Sequence, residues 1–65
     1  MKATTRKRGD YYLPAIKLDN GTTIVHRTYS WFIGYVNRDG ALHGAELDMY
    51  DMESMGCIPE HYRKA

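Results

Sequence analysis

Covalent staples are nearly absent from this sequence. Cys57 is the only cysteine among 65 residues. No internal disulfide can form, which excludes the bridge framework of small secreted scaffolds. No apolar run is long enough for a membrane span or a signal peptide. The first nine residues are basic and polar instead. A reducing cytoplasm is the expected location, with no membrane partner. Glycine-rich phosphate loops are missing too. Gly34, Gly40 and Gly44 lack P-loop or dinucleotide spacing and read as turn and strand glycines.

Catalytic and metal motifs are equally scarce. Cys57 with His43 or His61 would need a pocket and an oxyanion hole, which a chain this short rarely encloses. The reading is therefore non-enzymatic, with no cofactor. No metal site is expected. Structural zinc sites usually bring paired cysteines, whereas Cys57 and His61 offer one C-x3-H spacing, with His26 and His43 elsewhere. Cys57 reads as a small buried apolar residue. His26 reads as a solvated or hydrogen-bonded strand residue.

What is present is charge, unevenly spread, and aromatic residues. A chain this short buries only about 60% of its unfolded surface, so its core is marginal. Net charge is +1, yet residues 1–9 hold Lys2, Arg6, Lys7 and Arg8 and no acid. Residues 41–65 hold Glu46, Asp48, Asp51, Glu53 and Glu60 against Arg63 and Lys64. Such asymmetry suits a polyanion contact or an acidic protein-facing surface.

The pattern predicts a flexible basic arm over residues 1–9 and a single small α+β domain over residues 10–65. Residues 11–18 read as a first strand, with Pro14 marking an edge position. Asn20-Gly21 fits a two-residue type I′ turn, which opposes Ile16 to Val25, Leu18 to Thr23 and Tyr12 to Tyr29. Residues 22–36 then form the most β-prone stretch, bent near residues 27–30. Its odd face, Val25, Tyr29, Trp31, Ile33 and Tyr35, reads as core, and Phe32 and Val36 look outward. Arg38-Asp39-Gly40 reads as a hairpin loop that pairs Trp31 with Leu47, Ile33 with Ala45 and Tyr35 with His43. Asp48 then caps a short helix over residues 49–55, which Gly56 stops. Residues 60–65 begin a helical turn at Pro59 or fray. The predicted fold is a three-stranded antiparallel β-meander with one short C-terminal helix packed on one face.

Two functions follow from that architecture. The first is a small binding protein that occupies a surface of a larger protein, as an inhibitor or adaptor of the kind phages and mobile elements carry. Its contacts would be Tyr11, Phe32 and Val36, rimmed by Glu46, Asp48, Asp51 and Glu53. That run of carboxylates could imitate phosphates and occupy a basic cleft, so a nucleic-acid-processing enzyme is a candidate partner. The second is nucleic-acid binding through Lys2, Arg6, Lys7, Arg8 and an exposed Tyr11. An uncovered sheet face also leaves a homodimer open. No motif ties the chain to a known family.

Overall fold

Glycine turns set the first two hairpins. The computed structural model describes residues 1–65. Gly9-Asp10 joins β1 (Lys2–Arg8) to β2 (Tyr11–Lys17), and Arg8 faces Tyr11 across the turn. Positive φ falls on Gly9 alone (61°), as a type II′ turn with glycine first requires. Residues 1–9 are therefore not a free arm. Their polar sequence lacks apolar alternation because β1 is an edge strand, where lysine and arginine also blunt unwanted pairing.

The second turn corrects a register. The expected type I′ turn needs positive φ at both Asn20 and Gly21, and only Gly21 has it (90°). A longer loop forms instead. The Leu18 N–H donates to the Thr22 carbonyl at 2.7 Å, and the Gly21 N–H to the Leu18 carbonyl at 3.0 Å. Asn20 Oδ1 accepts from the Thr22 N–H at 2.9 Å, the local bond that favours asparagine in turns. The extra residue slips the pairing with β3 (Thr23–His26) by one, so Ile16 faces Ile24 rather than Val25. Ile24 thus joins the face of Ile16, and Val25 the opposite one.

Pro14 lies inside the sheet, not at its edge. The β2–β3 ladder stops at Ala15↔Val25. An isolated bridge then takes over, in which Tyr12 and Tyr35 exchange two backbone hydrogen bonds of 2.8 Å. Hydrogen-bonding direction repeats every second residue. Pro14 therefore turns its missing N–H toward the same side as Tyr12, into the gap between ladder and bridge.

The stretch 22–36 is not one strand. After His26 the chain leaves the sheet and reverses at Tyr29–Phe32, whose backbones bond to each other at 2.7 and 3.1 Å. It returns along β2 at Tyr35. Trp31 lands at the tip of the reversal, 76% exposed, and Phe32 turns inward. The expected facing of these two rings is thus reversed. The loop docks closely at Gly34 (φ 128°), where an added Cβ would lie 2.7 Å from Tyr11 Cβ.

The helix is longer and earlier than expected. α1 spans Arg38–Met55, lies between β3 and β4 in the chain, and packs on β1 and β2. Asn37 is its extended N-cap residue, so the run 37–40 opens a helix rather than closing a hairpin, and the predicted pairings to residues 43–47 do not exist. Asp48 is mid-helix, not a cap. Gly56 does stop the helix, left-handed at φ 74°, its N–H bonded to the Met52 carbonyl. Ala41, Ala45, Met49 and Met52 form the inward stripe, at spacings of three and four. Gly40 and Gly44 belong to the helix and give the Tyr35 side chain room; an added Cβ would meet its ring at 3.2 Å and its hydroxyl at 3.0 Å.

β4 (Tyr62–Lys64) returns to pair with β3, so the tail neither frays nor turns helical. The fold is α+β with a four-stranded antiparallel sheet in the order β1-β2-β3-β4 and one helix. Between sheet and helix lie Ile16, Ile24, Ala45, Met52 and Tyr62. Burying a side chain such as Ile16 stabilises the fold by about 1.5–3 kcal/mol. Leu13, Ala15 and Val25 form a second cluster on the helix-free face, with Phe32 against it. No helix is long and apolar enough to cross a membrane.

Candidate functional site

Strand alternation sorts the charges. Arg6 pairs with Leu13, Arg8 with Tyr11, Lys2 with Lys17, and Val25 with Arg63. Opposed residues share a face, so Lys2, Arg6, Arg8, Lys17 and Arg63 all project from the side that carries Leu13, Ala15 and Val25. Lys7 alternates to the helix side, where its Nζ lies 5.9 Å from the centroid of the Tyr12 ring. No strand contains an aspartate or glutamate. Arg6, Lys7, Arg8, Arg63 and Lys64 line a cleft of about 310 Å³ together with Leu13, Val25 and His26, while Lys2 and Lys17 lie outside that lining.

The acids lie on the other layer. α1 carries Asp39, Glu46, Asp48, Asp51 and Glu53 against Arg38 alone. Glu46, Asp51 and Glu53 are exposed, as the rim reading expected. Asp48 is not a rim charge. It is half-buried and accepts the Tyr62 hydroxyl hydrogen bond at 2.6 Å. Burial first, then that bond, push the Tyr62 hydroxyl pKa well above its ordinary value, so Tyr62 stays a donor.

The expected apolar contact surface does not assemble. Tyr11 and Phe32 are half-buried, Phe32 against the Leu13 cluster, while Val36 is 74% exposed just before α1. Trp31 supplies the exposed ring instead. It stacks on Tyr29 at 4.9 Å with the planes 1° apart, and lies 6.3 Å from Phe32. An aromatic ledge therefore reaches, through Phe32, the Leu13 cluster.

A third grouping joins His26, Asp48 and His61. The His26 ring lies 4.7 Å from those of Phe32 and His61 and 5.3 Å from that of Tyr62. Burial lowers the His26 pKa, and the nearby His61 adds to that; the Arg27 carbonyl bond and Asp48 act the other way. Cys57 is not part of this group and is exposed, contrary to expectation. It lines a separate hollow with Met52, Gly56 and Ile58.

Of the residues expected to meet nucleic acid, Lys2, Arg6 and Arg8 share one face with Tyr11, and Lys7 alternates to the other but still lines the cleft. Lys17 and Arg63 were missing from that set. The signal for Lys17 was present: Gly9-Asp10 is a glycine-first hairpin turn, and it puts Lys17 opposite Lys2. Compared with known proteins, the chain matches no family, no curated sequence and no solved structure.

Proposed function

We propose that this protein binds single-stranded nucleic acid along the helix-free face of its sheet. The observation that carries the reading is the one-sided charge: five Lys and Arg side chains on one sheet face, three of them (Arg6, Arg8 and Arg63) lining a cleft with Leu13 and Val25, and every helical acid on the opposite layer. Cations on a common face neutralise successive phosphates and release their counterions. Tyr11 beside Arg8, and exposed Trp31 on its ledge, offer stacking surfaces for unpaired bases. The acidic helix is repelled by the same strand, so it favours one approach orientation.

Anisotropy of a labelled single-stranded oligonucleotide of about 16 nucleotides tests this, read across a salt series. With three to five phosphate contacts, log affinity falls against log salt with a slope of about −2 to −3.5. The triple substitution Arg6→Ala, Arg8→Ala, Arg63→Ala weakens binding by more than about 10-fold, whereas Arg38→Ala on the helix leaves it unchanged. Binding that ignores salt, or survives the triple substitution, rejects the reading. Point substitutions are required, because deleting residues 1–8 would remove a strand.

A second reading keeps a larger protein as the partner, met through α1. Leu47 (52% exposed) and Tyr50 (58%) lie three apart on the helix, beside exposed Glu46 and Asp51. An apolar pair with an acidic rim suits a basic, apolar-centred surface on an enzyme that handles nucleic acid, which is how an inhibitor would act.

A further inference from the structure

Three segments remote in sequence bring side chains of metal-binding type to one corner. His26 ends β3, Asp48 sits mid-way along α1, and His61 directly precedes β4. One donor atom from each lies within 4.8 Å of the other two. We propose that His26, Asp48 and His61 bind one divalent transition-metal ion of the zinc class, with water completing its coordination.

The donor chemistry fits such an ion. Two imidazoles and one carboxylate form a set that zinc and other late first-row metals accept with an open position. His26 is also set up as a ligand. Its Nδ1 lies 2.7 Å from the Arg27 carbonyl oxygen. A carbonyl can only accept, so Nδ1 carries the proton and Nε2 keeps its lone pair. Metal-bound histidines commonly make this outer bond, which fixes ring and tautomer. Asp48 is held likewise, by the Tyr62 hydroxyl at Oδ2.

The spacing is close to what an ion needs. A tetrahedral zinc with bonds of about 2.0–2.1 Å holds its donors about 3.3 Å apart. His61 Nε2 is already 3.6 Å from Asp48 Oδ2. The widest gap closes by roughly an ångström and a half, within reach of side-chain rotation in a partly exposed group. No lysine or arginine competes, because the basic side chain within 4.0 Å of the Asp48 carboxylate is His61, itself a ligand of the site. The rings of Phe32 and Tyr62 flank His26. An ion would also tie the three-residue strand β4 to β3 and α1, the kind of staple small domains use.

The test uses the untagged chain, stripped with a chelator and dialysed. Zinc titration by calorimetry should give one site per chain, and cobalt should give the visible absorption of a low-symmetry site. Zinc should raise the unfolding midpoint, and magnesium should not. His61→Gln, on a ligand more exposed than Asp48, should keep the far-ultraviolet circular dichroism of the parent and lose more than about 10-fold in zinc affinity. His43→Gln, on the outer side of α1, should bind as the parent does. No zinc heat and no cobalt spectrum in the parent, or a His61→Gln chain that binds as tightly, overturns the site and leaves the cluster as hydrogen bonding alone. Nucleic-acid binding is read separately, from the Arg6, Arg8 and Arg63 variants in apo protein, although His26 lines the same cleft.

Discussion

Gly34 shows how much one backbone position carries. Its φ of 128° lies where a side chain is strained. An added Cβ would also meet the Tyr12 carbonyl oxygen at 3.1 Å as well as Tyr11 Cβ. Both obstacles belong to β2, which cannot shift without disturbing the sheet. Gly34→Ala should therefore cost about 2 kcal/mol or more. In a domain of this size that lowers the unfolding midpoint by about 8–16 °C, measurable by thermal melts. Gly9→Ala meets no atom within 4 Å and pays for backbone conformation alone, so its effect should be smaller.

At the scale of elements, α1 is arranged against its own dipole. Asp51 and Glu53 lie near its C-terminal end, and no basic residue occupies the last turn. Carboxylates there face the negative pole. Glu53→Lys should raise stability by about 0.3–1 kcal/mol in low salt, with the gain shrinking as salt is added, in denaturant melts. The C-terminal stop of this helix was legible in the sequence, because Gly56 follows the last methionine. Its beginning was not. Asn37-Arg38-Asp39-Gly40 suits a hairpin loop as well as a helix start, and Gly40 and Gly44 each weaken a helix by about 1 kcal/mol relative to alanine. What overrode propensity was packing of Tyr35 on those glycines, a contact between segments that no local pattern encodes. β1 was hidden for a different reason: a polar edge strand has no apolar period to read. The α+β class, the strand at Tyr11 and the antiparallel hairpin after it were readable. The candidate basic face was readable only in part, since Arg63 reaches it through β4, whose pairing is long-range.

The whole molecule is two oppositely charged layers that nearly cancel. Net charge is +1 and the isoelectric point about 7.9. Those figures suggest an indifferent surface, but the strands hold seven Lys and Arg and the helix five acids. A charged matrix feels the nearest layer, because fields from exposed groups fade within about 10 Å at 0.1 M salt. At its own isoelectric point and about 0.1 M salt, the chain should therefore be retarded by both sulfonate and quaternary-amine resins. Passage through both columns would mean that the layers are not felt separately. Arg6→Ala with Arg8→Ala should release it from the first resin and tighten its hold on the second. Nominal neutrality thus conceals a particle with a front and a back, and chromatography alone can tell which way it turns.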